Sequence, residues 1–186
     1  LVMGGAMDVW EIESYPWLAD EIEAIRQWTT QYNRPYFGVC LGLQLLTVAL
    51  GGTVALAREA EVGIGRIQLT ALGTHHPMTA GLPQSMRFMQ WHHAEVKKLP
   101  ERAQVLAGSA VSPVQIMAVG NTMLATQFHG ELTPELVERW AGIPQYIQWL
   151  EEVLGEGAYE RVRSKALPLM PQLAFHSRVM FDNLVN

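Results

Sequence analysis

The sequence has a single cysteine, no long apolar run and no cluster of basic residues. One cysteine among 186 residues excludes an internal disulfide and a zinc site built from several cysteines, and it suits a reducing, cytoplasmic location. No apolar run approaches the roughly 20 residues that cross a membrane. The net charge of −5 and the lack of Lys or Arg runs disfavour nucleic-acid and anionic-membrane partners. A small neutral or zwitterionic substrate is more consistent with this charge than a nucleic acid or an anionic membrane.

Length and patterning predict one α/β domain over residues 1–186. A helix from Leu18, an apolar strand from Pro35 to Val39 and a helix from Leu41 to Leu50 follow one another. This order predicts a mainly parallel sheet with helices on both faces, a flavodoxin-like three-layer arrangement. Short β-like segments between Thr53 and Phe128 predict a small antiparallel portion, and residues 134–186 have helical periodicity to the end.

The only cysteine lies between two glycines where an apolar strand turns into a helix. The pattern Gly38-x-Cys40-x-Gly42 is typical of a nucleophile elbow with sulfur in place of oxygen, because the tight bend favours residues without Cβ on either side. The amides at the start of a helix carry positive partial charge and favour a thiolate. A lone cysteine after an apolar run is more often a buried packing residue, so the flanking glycines carry the functional interpretation.

A second motif, Gln127-Phe128-His129-Gly130-Glu131, follows another apolar strand. Alternate residues at a strand end point to the same side, so His129 and Glu131 can approach one another. His129 could take the thiol proton and later protonate a leaving amine, while Glu131 orients the ring.

The two motifs, about ninety residues apart, resemble those of the class I glutamine amidotransferases. The segment Met3–Met7 resembles the family's Gly-Gly-Pro loop, 38–44 its elbow, and 128–131 its Phe-His-Pro-Glu. Within the family the chain is most similar to stand-alone domains related to the amidotransferase domain of GMP synthase. The segments Trp91-His92 and Pro16-Trp17 resemble the corresponding parts of those domains.

The resemblance implies a role for each matching residue and no cofactor. Cys40 would be the nucleophile, His129 the general base and acid, and Glu131 its orienter. The backbone amides of Gly5 and Leu41 would hold the oxyanion. The remaining substrate contacts would come from four residues: Gly4, Gln44, His92 and His93.

This chain also departs from the family pattern. Ala6 and Gly130 stand where proline is usual, so both loops should be looser. Family members have about fifty further residues before the first glycine loop, including a strand near the middle of the sheet. The resemblance therefore implies an N-terminally incomplete domain.

The leading functional hypothesis is a glutaminase that forms a γ-glutamyl thioester on Cys40 and releases ammonia. The sequence has no G-x-x-x-x-G-K-[ST] loop, so a separate synthetase or acceptor subunit would have to use the ammonia. A γ-glutamyl peptidase with the same three side chains is one alternative, because both substrates share the γ-glutamyl half. A non-catalytic fragment or regulatory subunit is the other.

For several residues the sequence argues against a metal site or a catalytic role. Adjacent residues on a strand point to opposite faces, so neither His75-His76 nor His92-His93 is expected to bind a metal. Glu61 is expected to be a solvated charge. Trp140 and Trp149 recur near helical phase and are expected to be packing residues rather than a binding platform.

Overall fold

A computed structural model describes residues 1–185, in which six strands form one mixed sheet. The order across the sheet is β1-β6-β5-β4-β2-β3. The strands are β1 (Tyr36–Val39), β2 (Thr53–Leu69), β3 (Ser85–Lys98), β4 (Ala103–Gly108), β5 (Ile116–Val119) and β6 (Met123–Thr126).

The prediction of a mainly parallel, flavodoxin-like sheet is wrong. Among the named strands of residues 1–185, β1 and β6 alone pair in parallel, and every other pairing is antiparallel. The antiparallel portion predicted between Thr53 and Phe128 is present, and it forms most of the sheet rather than a small part of it. Within it, only residues 120–122 connect β5 and β6, and Gly120 turns the chain with a φ of 59°. A hairpin of this length can join only antiparallel strands.

The segments predicted as short strands after Thr53 merge into two long ones. β2 has 17 residues and β3 has 14, and they pair as a ribbon from Thr53 opposite Lys98 to Gln68 opposite Ser85. The register shifts between Leu56 and Glu61, where the pairing is interrupted. The ribbon extends β2 and β3 beyond the short strands of the rest of the sheet, and this extension gives the C-terminal helices a surface to pack on.

Helices cover both faces of the sheet and the long ribbon. They are α1 (Trp17–Arg26), α2 (Leu41–Ala49), α3 (Pro134–Ala141), α4 (Pro144–Leu154), α5 (Ala158–Ala166) and α6 (Met170–Val185). Residue 186 of the predicted helical segment lies outside the described residues. No helix within residues 1–185 is long and apolar enough to span a membrane.

Alternate side chains of β5 point to opposite faces of the sheet and pack in two separate parts of the core. Met117 and Val119 join the apolar cluster that contains α1 and α2, whereas Ile116 and Ala118 join the cluster that contains α6. A third cluster contains Met89 of the ribbon and buried residues from three helices, among them Val137 of α3, Leu150 of α4 and Val162 of α5. The helices α3–α5 are thus fixed beside the end of the sheet where the candidate site lies.

The first described residues fix the turn between β1 and α2. Val2 donates its amide to Phe37 and accepts from Val39, both at 2.9 Å, so it lies beside β1 as an added parallel bridge. A Cβ on Gly42 would stand 2.4 Å from the Val2 carbonyl oxygen. The close packing of backbone on backbone explains why the first turn of α2 requires glycine here.

We expect Gly42→Ala to destabilise the protein by about 1–3 kcal/mol or more, because the clash is with backbone and cannot be relieved by a rotamer change. Urea unfolding gives the free energy of unfolding. Gly142→Ala is the matched control: Gly142 has a helical φ of −77°, and its added Cβ would lie no nearer than 3.3 Å to the Arg139 carbonyl oxygen. Equal stability of the two variants would contradict the packing of Val2 against α2.

Candidate active site

Cys40 lies at the turn between β1 and α2 in a strained backbone conformation. Its φ is 51° and its ψ −104°, values that a non-glycine residue adopts only when the surroundings enforce them. The Cys40 amide donates to Thr126 at 2.7 Å, and its carbonyl accepts from the amides of Leu43 and Gln44. These bonds anchor the turn to β6 on one side and to α2 on the other. The thiol consequently sits at the N-terminal end of α2, where the helix amides favour negative charge.

His129 and Glu131 follow the end of β6 and meet as their spacing predicts. His129 Nδ1 lies 2.7 Å from Glu131 Oε1, and the His129 amide donates to Met89 on β3 at 2.8 Å. Burial lowers the pKa of His129, but the charge of the Cys40 thiolate, a hydrogen bond with it, and the contact with Glu131 outweigh burial and raise that pKa to about 10. The surroundings of His129 therefore favour the protonated form of its ring.

Gln127 is a site residue that the sequence interpretation missed. Its side chain is fully buried, and Nε2 donates to Cys40 Sγ at 3.6 Å. The other amide atom, Oε1, is buried without a hydrogen-bond partner among residues 1–185. An amide nitrogen donates and a thiolate accepts, so this orientation favours negatively charged sulfur. The signal was available, because Gln127, His129 and Glu131 are alternate residues.

A cavity of about 440 Å³ opens beside these groups. The loop that carries Gly4 passes against both Cys40 and His129: a Cβ on Gly4 would lie 2.9 Å from His129 Cε1 and 3.4 Å from Cys40 Cβ. The structure brings every residue predicted for the site to the lining of this one cavity: Gly4, Gly5, Cys40, Leu41, Gln44, His92, His93, His129 and Glu131.

His92 and His93 both line the cavity, although adjacent strand residues were expected to diverge. His92 is buried, and its ring nitrogens lie 3.0 Å from the Ala94 carbonyl and 3.2 Å from Gln90 Oε1. His93 is more open, with Nε2 2.8 Å from Asp8 Oδ1. Of the two, His93 has the ring that a ligand can reach more readily.

Glu61 is not the solvated charge that was expected. Its carboxylate accepts from Gln115 Nε2 at 2.6 Å and lies 3.4 Å from His92 Nε2, and its side chain is only 10% exposed. Gln90 donates to Gln115 at 3.1 Å and completes a buried polar network behind the cavity. The network fixes the ring of His92.

Trp140 and Trp149 were expected to be packing residues, but both line the cavity. Trp140 is on α3 and Trp149 on α4, and both are half-buried. Their rings pack around Trp91 on β3, with centroid distances of 5.0 and 5.7 Å. Tyr146 of α4 joins them at 5.8 Å from Trp91. The helical C-terminal part thus contributes directly to the site.

The arrangement suits nucleophilic chemistry with a proton carrier. Among residues 1–185, no group of three or more His, Cys, Asp or Glu side chains is placed to hold a metal ion. A thiolate beside a protonated ring, with amides at the start of a helix, can attack a carbonyl carbon and protonate the group that leaves.

Several known proteins are similar to this chain. The family model for glutamine amidotransferase class-I matches residues 1–139. The glutamine amidotransferase-like protein YfeJ of Salmonella typhimurium is 38% identical over 116 residues, which cover 62% of this chain and 47% of that protein. A subunit of the glutamine-hydrolyzing GMP synthase of Pyrococcus furiosus is 33% identical over 111 residues, covering 59% of this chain and 57% of that protein. The chain therefore spans about half the length of these curated relatives.

A solved structure extends the likeness to the C-terminal helices. The crystal structure of a glutamine amidotransferase from Thermotoga maritima superposes with a TM-score of 0.87 at 26% identity, covering 100% of this chain and 77% of that one. The family model covers well over half of the chain, and the motifs around Cys40 and His129 lie inside the matched residues. The chain belongs to the class I glutamine amidotransferase family.

Proposed function

We propose that this chain hydrolyses the side-chain amide of glutamine or a γ-glutamyl amide through a thioester on Cys40. The observation that carries the proposal is the placement of Cys40, strained at a helix start, with His129 and Glu131 in one cavity. Sγ attacks the γ-carbonyl carbon, and the amides of Gly5 and Leu41 stabilise the oxyanion. His129 protonates the leaving nitrogen, and water then releases glutamate.

The remaining residues have supporting roles in the proposal. Glu131 keeps the imidazolium oriented, and Gln127 stabilises the sulfur charge by donating to it. Gly4, Gln44 and His93 contact the amino-acid half of the substrate, and His92 shapes the wall between them. No step of this mechanism needs a metal or an organic cofactor.

A separate synthetase subunit is the proposed user of the ammonia when glutamine is the substrate. The support is that two relatives named as subunits of GMP synthase are similar to this chain over more than half of their own length. A γ-glutamyl hydrolase without a partner is the second candidate, and the cavity wall built by α3 and α4 favours it, because released ammonia needs no such wall.

We expect Cys40→Ala to abolish glutamate release from glutamine, and His129→Ala to reduce kcat/KM by about 10²–10⁴-fold through loss of the proton carrier. The measurement is glutamate production by purified protein. His75→Ala, which removes an exposed histidine outside the cavity lining, is the matched control and should keep full activity. Unchanged turnover in Cys40→Ala would overturn the proposal.

Glu131→Gln should shift the alkaline limb of the kcat/KM profile for glutamine to lower pH. The carboxylate of Glu131 helps to raise the pKa of His129 to about 10, and the general acid is lost as pH rises through that value. Removing the charge lowers the pKa, so activity falls earlier. Glu101→Gln, at an exposed carboxylate outside the cavity lining, should leave the limb in place. An unmoved limb in Glu131→Gln would contradict the assigned role.

Gln127→Leu should slow alkylation of Cys40 by iodoacetamide near pH 7 by roughly tenfold, because a hydrogen bond to a charged group is lost. Mass spectrometry reads the rate without ambiguity, since the chain has one cysteine. Gln115→Leu is the matched control: Gln115 is equally buried and belongs to the network with Glu61. Equal slowing in both variants would indicate a general structural effect rather than a contact with sulfur.

A further inference from the structure

The amine that leaves from the proposed substrate can be inferred from the cavity, and this inference rests on the proposed function. We propose that the site takes γ-glutamyl amides of neutral aromatic amines, with the ring of the leaving amine held against four aromatic side chains. These side chains, called here the aromatic wall, are Trp91, Trp140, Tyr146 and Trp149.

The aromatic wall is one continuous surface centred on Trp91. The ring centroid of Trp91 lies 5.0 Å from that of Trp140, 5.8 Å from Tyr146 and 5.7 Å from Trp149. All four side chains are half-buried and line the cavity, so each presents part of its ring to the cavity space. A flat ring from a ligand can extend this cluster by offset or edge-to-face contact.

The aromatic wall stands where the leaving group must depart. The ring of Trp140 lies 5.5 Å from the His129 ring at an interplanar angle of 82°. The Trp91 carbonyl oxygen lies 4.0 Å from Cys40 Sγ. A general acid must come within hydrogen-bond distance of the nitrogen that it protonates. The substituent on that nitrogen therefore begins beside His129 and runs along Trp140.

The size and charge of the cavity favour a γ-glutamyl amide of a neutral aromatic amine over a γ-glutamyl peptide. A volume of about 440 Å³ falls in the roughly 300–1,000 Å³ range of pockets for drug-sized ligands, well beyond the needs of glutamine alone. No Lys or Arg is among the lining residues found within residues 1–185, so only histidine rings could pair with the second carboxylate of a γ-glutamyl peptide. The lining carboxylates of Asp8 and Glu131 each already face a histidine.

The aromatic wall is supplied largely by sequence outside the family match. That match ends at residue 139, whereas Trp140, Tyr146 and Trp149 follow it on α3 and α4. The chemistry shared by the family resides in the matched residues. A surface that the C-terminal helices add to this common centre is suited to choosing among substrates rather than to performing the reaction.

The reaction balances with water as the only co-reactant. Cys40 Sγ forms a bond to the γ-carbon, the carbon–nitrogen bond breaks, and the nitrogen takes a proton from His129 to leave as the free aromatic amine. Water then gives a proton to His129 and its oxygen to the γ-carbon, and the carbon–sulfur bond breaks. The products are glutamate, the amine and the regenerated thiolate–imidazolium pair.

The test compares γ-glutamylbenzylamide with γ-glutamylethylamide, two amides that differ by an aromatic ring. We expect wild-type kcat/KM to favour the benzylamide by about tenfold or more, as burial of a ring predicts. Trp149→Leu and Tyr146→Leu should each lower this ratio several-fold; taking the ratio cancels differences in leaving-group reactivity. Trp17→Leu, which changes an exposed tryptophan outside the cavity lining, is the matched control and should keep the wild-type ratio.

The outcomes separate the inference from the proposed function. Equal kcat/KM for the two amides, with turnover that depends on Cys40, would overturn the inference and leave the proposed function standing. A ratio preserved in both variants of the aromatic wall would also overturn it. No release of glutamate from glutamine or from either amide would overturn the proposed function, and the inference with it. The wild-type comparison needs no variant, so a misfolded variant cannot leave the question open.

Discussion

The geometry of the site depends on the left-handed backbone of Cys40. A φ of 51° costs free energy at a residue with a Cβ, and the fold enforces it by hydrogen bonds to Thr126 and to the first amides of α2. Because the turn is this sharp, the sulfur stands clear of β1 at the positive end of a helix. The same sharpness brings α2 so near to Val2 that Gly42 has no room for a side chain. Packing and reactivity are thus two results of one turn.

Sequence patterns indicated which residues belong to the candidate site, because the placement of those residues depends largely on local geometry. An elbow needs small residues two positions before and after its nucleophile, which singled out Cys40, and a strand end aligns alternate residues, which paired His129 with Glu131. That the two motifs meet was implied by the family resemblance. The same alternation would have found Gln127. It was overlooked because a glutamine has no titration or nucleophilic chemistry to draw attention to it.

The directions of the strands in the sheet and the position of the aromatic wall could not be predicted from spacing in the same way. The order of strand and helix up to Leu50 indicated a parallel sheet, but the extent of the antiparallel portion after Thr53 depends on pairings between strands that this local order does not record. Trp140 and Trp149 have the helical spacing of core residues, and only the packing of α3 and α4 on the long ribbon turns them toward a cavity. Such placements depend on contacts between residues far apart in sequence, which periodicity does not record.

The aromatic wall and the charged centre also act on one another. The indole ring of Trp140 packs beside His129, and in a less polar environment electrostatic contacts with the ring are stronger than they would be in water. Burial alone would lower the pKa of His129, but its contacts with Cys40 and Glu131 outweigh that effect and raise the pKa. A leaving group seated against Trp140 would exclude water at the moment of proton transfer. Binding of the amine and activation of its departure would then share the same surface.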